Sequence, residues 1–226
     1  MNPIDLLDGI EAQTGPAPTW SVIFLHGLGA DGNDFVPIVR ELLRPGWPAI
    51  RFVFPHAPVR PITLNGGARM RGWYDIISLD RLNHEDANGV RTSIAQVEAL
   101  IAREVARGIP PSRIVLAGFS QGGAIALATG LRRSEPLAGL IALSTYLPLV
   151  AATRAEITVA ARATPVFMAH GQHDPVIAAA YGTASRDQLT ALGLRVEWHE
   201  YPMAHQVCAP EIAALSAWLG ARLTGG

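Results

Sequence analysis

The order of hydrophobic patterns along this chain predicts an α/β fold: a mostly parallel central sheet flanked by helices, in a single domain spanning residues 1–226. Three observations predict it. Short apolar, β-rich runs alternate with amphipathic stretches, the signature of strands joined by crossover helices. A serine between glycines sits where one such run meets one such stretch. Finally, neither a repeat nor a low-complexity linker divides the 226 residues, a length short for two enzyme domains.

Taken in order, Trp20 to Leu25 reads as a buried strand, Ile50 to Phe54 as a second and Ile114 to Ala117 as a third. Between the last two, Asn88 to Arg107 reads as a helix, with Val90, Ile94, Val97, Ile101 and Val105 near the helical period. Gly108 and the pair Pro110-Pro111 stop it. After Gln121 the small-residue run GGAIALATGLRR predicts another helix, followed by strands at Leu140 to Leu143 and Val166 to Ala169. A helix over about Ala178 to Leu192, a strand over about Arg195 to Tyr201 and a last helix over about Pro210 to Leu223 complete the alternation. The Pro- and Gly-rich stretch Pro55 to Gly72 is long for a plain connection, which marks it as a candidate wall of a functional site.

Composition narrows the function. With 16% charged and 49% hydrophobic residues and a formal charge of −1, the chain suits neither disorder nor nucleic-acid binding, so a small neutral molecule is the expected partner. All 18 basic residues are arginine. Without lysine there is no Schiff-base chemistry and no phosphate-binding P-loop. Cys208 is the sole cysteine, which excludes an intrachain disulfide and a cysteine metal framework and fits a reducing compartment. The opening MNPIDLLDGIEAQTGPAP carries Asp5, Asp8 and Glu11 and lacks a basic and then apolar leader pattern. No run approaches the roughly 20 apolar residues that span a bilayer, and a cytoplasmic location is expected.

The segment IVLAGFSQGGAIAL places Gly118-Phe119-Ser120-Gln121-Gly122 between strand and helix. That G-x-S-x-G context is a nucleophile elbow, in which a sharp turn lifts the serine hydroxyl to the start of a helix. A β-carbon at Gly118 or Gly122 would collide with the neighbouring strand or helix. The Gln121 N–H and the helix dipole would then face a developing oxyanion. The pentapeptide alone reads equally as a glycine turn with an incidental serine. Two later segments shift the balance: His170-Gly171-Gln172-His173-Asp174-Pro175 and His205 each follow a strand-like run. Serine, acid and histidine thus occur in the order Ser120, Asp174, His205 that this elbow requires. Serine is too weak an acid to attack a carbonyl unaided, so His205 would take its proton while Asp174 fixes the imidazole tautomer. Taken singly, Asp174 also reads as a helix N-cap and His205 as a polar loop residue. A second oxyanion donor is expected from the glycine-rich loop His26-Gly27-Leu28-Gly29 after the first strand, with the Leu28 N–H as candidate.

Together LHGLGADG, FPHAPVRPITLNGGARMRGWYDI, GFSQGGAIAL, HGQHDPV and EYPMAHQV resemble the carboxylesterase and acyl-protein thioesterase (phospholipase/carboxylesterase) family of small α/β-hydrolases, most nearly its bacterial carboxylesterase branch. The resemblance runs from about Trp20 to Leu223. It implies a serine carboxylesterase acting on short to medium acyl esters through an acyl-enzyme, with thioesters or lysophospholipids as alternative substrates. It implies no metal or organic cofactor, and homodimers are common in such families. Ser120, Asp174 and His205 would form the triad, and the Leu28 and Gln121 amides the oxyanion hole. One departure is Ala204 before His205, where the family usually has glycine. The short segment between Tyr146 and Pro165 leaves no room for a large lid. Leu28, Met70, Trp73 and Leu147, with Pro148, are candidate walls of an acyl pocket, although core packing explains Met70 and Trp73 equally well.

The remaining histidines have plainer readings. His26 and His56 adjoin strand ends and are expected to tie loops, and His84 and His199 to be solvated. His170, His173 and Asp174 offer two imidazoles and a carboxylate, but Asp174 is needed by His205 and no metal is expected. Cys208, three residues after His205, is expected to pack as a small hydrophobe. Other readings are acyl transfer or perhydrolysis by the same triad, and a binding protein that keeps the fold without the chemistry.

Overall fold

The computed structural model describes residues 6–78 and 85–224. Its framework is a seven-stranded sheet in the order β1-β3-β2-β6-β7-β8-β9. The central strands are β2 (Trp20–Leu25), β3 (Ile50–Pro55), β6 (Ile114–Phe119), β7 (Gly139–Leu143), β8 (Val166–Gly171) and β9 (Val196–Tyr201). All six pair in parallel, whereas β1 (Gly9–Gln13) runs antiparallel along β3 at one edge. This is the predicted α/β-hydrolase architecture.

Residue alternation within the strands explains why helices cover both faces. Ile23 and Leu25 of β2, Leu116 of β6 and Met168 of β8 face one core, while Val22, Phe24, Val115, Ala117 and Phe167 face the other. The first core is closed by α2 (Ala87–Ala106), α3 (Gln121–Gly130) and α5 (Ala179–Ala191). Against the second pack α1 (Ile38–Leu42) and α6 (Ala209–Leu223), through Leu42, Leu215 and Leu219. Every residue of α3 is buried, so it carries small side chains: a β-carbon on Gly130 would run into Leu140 of β7.

Several elements differ from expectation. The buried stripe of α2 is Val90, Ser93, Val97, Leu100, Ile101 and Glu104, and Val105 points to solvent. At about 100° per residue, Val105 lies roughly a quarter turn from the centre of that stripe, and Glu104 takes the inward place. Burial of Glu104 is offset by Arg51, 2.9 Å away, and by Arg103 and Arg107. The stretch Pro55 to Gly72 is not a plain loop: β4 (Val59–Ile62) and β5 (Ala68–Arg71) form a separate antiparallel hairpin. The segment between β7 and β8 is as short as expected: it holds only α4 (Val150–Glu156) and one 3₁₀ turn, with no room for a large lid.

Candidate active site

At the carboxyl end of β6 the chain turns sharply into α3, and Ser120 occupies the turn with φ 53° and ψ −123°. Such angles are unfavourable for a residue with a side chain and are held from outside. The Ser120 N–H donates to the Leu143 carbonyl at 2.8 Å, and the Thr145 hydroxyl donates to the Ser120 carbonyl at 2.6 Å. A β-carbon on Gly118 would overlap the backbone of Gly122 and Gly123, and one on Gly122 the carbonyls of Leu25 and His26. Both glycines are therefore required by the close approach of strand and helix.

Asp174 follows β8 and His205 follows β9, so the sheet delivers both side chains to the end where Ser120 stands. His205 Nε2 lies 2.9 Å from Ser120 Oγ, and His205 Nδ1 lies 2.6 Å from Asp174 Oδ2. The second carboxylate oxygen accepts the Val176 and Ile177 N–H groups, both at 2.8 Å. Asp174 is thus the partner of the imidazole and ties the turn after β8; it does not cap α5, which starts only at Ala179 with Ala178 as its N-cap. His170 Nε2 donates to the Ile177 carbonyl at 2.8 Å and stands 3.4 Å from Asp174 Oδ2. Burial lowers the His170 pKa, which favours the neutral ring beside that carboxylate. Phe119 packs against the His205 ring with centroids 4.8 Å apart.

Ala204, the departure noted in the sequence, has no positive φ, so its methyl group adds no backbone strain. The glycine that the histidine loop does need is Gly171, where a β-carbon would strike the carbonyls of Met203 and Ala204.

The loop after β2 runs beside the elbow, where a β-carbon on Gly27 would come within 3.4 Å of the Phe119 and Ser120 side chains, and Gln121 opens α3. His26 shapes this loop. Its Nδ1–H donates to the Gly27 carbonyl at 2.7 Å, and its Nε2 accepts from the Ala57 N–H at 3.0 Å. Burial pushes the His26 pKa down, in keeping with that neutral tautomer. The indole N–H of Trp73 donates to the His26 carbonyl at 2.9 Å, and the Gly29 N–H to the Arg71 carbonyl at 2.8 Å. Gly29 itself has φ 79°, which favours glycine. The Gln121 side chain, 2% exposed, accepts from the Trp73 N–H and donates to the Tyr74 carbonyl, both at 2.7 Å. Sequence reasoning missed this clamp between elbow and β5 loop. The dipeptide WY beside an elbow glutamine was its only trace.

The four expected substrate walls separate. Leu28 and Met70 are partly exposed on the oxyanion-loop side, where Met70 Sδ is 3.7 Å from a β-carbon position at Gly29. Trp73 is 0% exposed and buttresses the loop after β2 from within the core, which corrects its assignment as a pocket wall. Leu147, 3% exposed, donates its N–H to Ser185 Oγ at 2.8 Å. It lines a different cavity of about 760 Å³ with Glu85, Leu149 and Tyr181, which does not reach Ser120. Its neighbour Pro148 is also buried.

His56 accepts the Gly32 N–H at 3.0 Å, so it ties its loop as expected. His199 does not simply face solvent: its ring stacks on Phe167 and Tyr201. His84 lies outside the described residues. Cys208, half-buried, caps α6 together with Glu211 rather than filling the core. Among the described residues no three His, Cys, Asp or Glu side chains converge as a ligand set, and no helix is long and apolar enough to cross a membrane.

Comparison with known proteins agrees with this fold. Residues 10–222 match the family model described as Phospholipase/Carboxylesterase. Acyl-protein thioesterase 1 of Neurospora crassa is 43% identical over 215 residues, covering 91% of this chain and 87% of the relative. Among solved structures, Arabidopsis thaliana SOBER1 superposes with a TM-score of 0.86 at 30% identity, covering 91% of this chain and 99% of the other. Zea mays acyl-protein thioesterase 2 does so with a TM-score of 0.82 at 27% identity, covering 96% and 100%. The chain belongs to the phospholipase/carboxylesterase family of α/β-hydrolases and is a carboxylic ester hydrolase.

Proposed function

We propose that the protein hydrolyses short to medium acyl esters and thioesters through an acyl-enzyme on Ser120. The observation that carries this reading is the continuous line from Asp174 Oδ2 through His205 to Ser120 Oγ, with steps of 2.6 and 2.9 Å. His205 takes the Ser120 proton as Oγ bonds to the acyl carbon, and Asp174 supports the imidazolium that results. The Leu28 and Gln121 amides receive the negative charge on the carbonyl oxygen. Collapse of the tetrahedral intermediate expels the alcohol or thiol, which takes the proton from His205 Nε2. Water, activated by the same nitrogen, then releases the acid.

Thioester hydrolysis belongs in the proposal because the relatives named as acyl-protein thioesterases match over nearly the whole chain. Cys208, the single cysteine and unbridged, fits a cytoplasmic setting. The test is turnover of p-nitrophenyl and S-acyl thiol esters of increasing acyl length. Turnover is expected without added metal and unchanged by EDTA. Loss of activity to EDTA that zinc restores would contradict the mechanism.

A further inference from the structure

Beside His205 opens a groove of about 480 Å³ whose floor is apolar, with Phe35, Ile38, Phe119 and Ile212, and whose rim carries Asp34 and Glu41. It shares no lining residue with Leu28 and Met70 on the oxyanion-loop side, nor with the Leu147 cavity. Resting on the proposed ester hydrolysis, we propose that this groove is the leaving-group subsite, and that Asp34 and Glu41 select an alcohol or thiol that is apolar beside the scissile bond and positively charged beyond it.

The chemistry of the step fixes the side. When the tetrahedral intermediate collapses, the bond from the acyl carbon to oxygen or sulfur breaks, and the departing atom takes the proton held on His205 Nε2. That atom must lie within hydrogen-bond reach of Nε2. The group attached to it then enters the space next to the imidazole, and this groove, unlike the Leu147 cavity, is lined by His205 and by Phe119 next to Ser120, though not by Ser120 itself. The acyl chain, bound to the carbon whose oxygen points at the Leu28 and Gln121 amides, is left to the opposite side.

The charge preference follows from what lines the groove. Asp34 and Glu41 are exposed, and the lining includes no arginine. Among the described residues neither carboxylate forms an ion pair. Two nearby arginines have backbone partners: Arg44 donates to the carbonyls of Glu41, Leu42 and Leu43, and Arg71, which lines another pocket with Asp34, to that of Ala57. Two uncompensated carboxylates beside an apolar floor attract a cation at the far end of a leaving group and repel an anion.

The experiment uses butyryl thioesters of three thiols: thiocholine, 2-mercaptoethanol and 3-mercaptopropionate, a cation, a neutral group and an anion. Thiol release is followed for the intact protein and for D34N/E41Q. At low ionic strength kcat/KM, divided by the rate of hydroxide hydrolysis of the same thioester to remove the unequal leaving abilities of the thiols, is expected to favour the cation over the anion by about tenfold, and the ratio should shrink at high salt, because exposed charges are screened over roughly 10 Å. Within D34N/E41Q the same ratio should fall toward one. It should not change when butyryl is replaced by acetyl or hexanoyl, since the acyl chain lies elsewhere. A ratio that persists in D34N/E41Q, or is near one in the intact protein, overturns the proposal, and a ratio that follows acyl length overturns the assignment of sides. Absence of turnover with all three thioesters and with p-nitrophenyl butyrate would overturn the hydrolase reading itself.

Discussion

His26 never touches Ser120, yet it fixes where the oxyanion loop can stand, because its ring bonds Gly27 and Ala57 while its carbonyl receives the Trp73 indole. Replacing it with phenylalanine keeps an aromatic ring, slightly larger, and removes both ring bonds. We expect kcat to fall at least tenfold, toward the roughly 10²-fold loss that follows removal of one oxyanion donor, with KM changing less. Steady-state kinetics with p-nitrophenyl butyrate check this, and an unchanged kcat would free His26 of any positioning role. The meeting of Ser120, Asp174 and His205 was legible in the sequence because each follows a strand-like run and the three come in the order the elbow requires, although each taken singly has a plainer reading. Gln121, Trp73 and His26 were not legible as a clamp, because Gln121 and Trp73 stand 48 residues apart and their bonds join side chain to backbone. No local pattern encodes such a contact. Trp73 looked like a pocket wall for the same reason: an indole next to a site reads alike whether it faces the cleft or holds it from behind.

Among the elements, those with strong periodicity were read to within two residues at their ends, as with β2, α2 and α6. β1 escaped because an edge strand with one solvated side, GIEAQ, carries too few apolar residues to stand out. The five residues of α1 are too few to show a helical period, and the prolines and glycines around β4 and β5 mask a hairpin whose outer side is exposed. The β6–α3 elbow yields a sharp prediction. Gly122→Ala puts a methyl group on the carbonyls of Leu25 and His26, and the overlap should cost several kcal/mol, about 3 or more, with loss of soluble protein or a Tm fall of over 8 °C. A Tm within two or three degrees of the parent would show that the elbow can open without penalty.

The N-terminal turn of α6 carries a pH-dependent weakness. Glu211 is fully buried, and burial pushes its pKa up to about 8, an effect only partly offset by the Cys208 N–H. Between the ordinary carboxylate pKa and about 8 the folded protein holds a proton on Glu211 that the unfolded chain has released. Stability therefore falls as pH rises through this window and levels off above it. Glu211→Gln keeps an acceptor for Cys208 and cannot ionise, so its Tm relative to the parent should improve steadily from pH 5 to pH 8. Melting curves across that range check it; a parallel pair of Tm profiles would contradict a buried protonated Glu211.

At the scale of the whole molecule, the parallel sheet places the carboxyl ends of β2, β6, β8 and β9 along the same edge, with β7 between β6 and β8, and every residue proposed for the chemistry follows one of those ends. The two cores on either face hold the strands at fixed spacing, so Ser120, Asp174 and His205, separated by 54 and 31 positions along the chain, meet within hydrogen-bond distance. The central claim is that Ser120 is the nucleophile, and labelling with a fluorophosphonate, read by peptide mass spectrometry alongside turnover, tests it most directly. One adduct should form, on Ser120, and Ser120→Ala should both abolish it and lower kcat by about 10⁴-fold or more. Stoichiometric labelling at another residue, or full turnover by Ser120→Ala, would contradict the account.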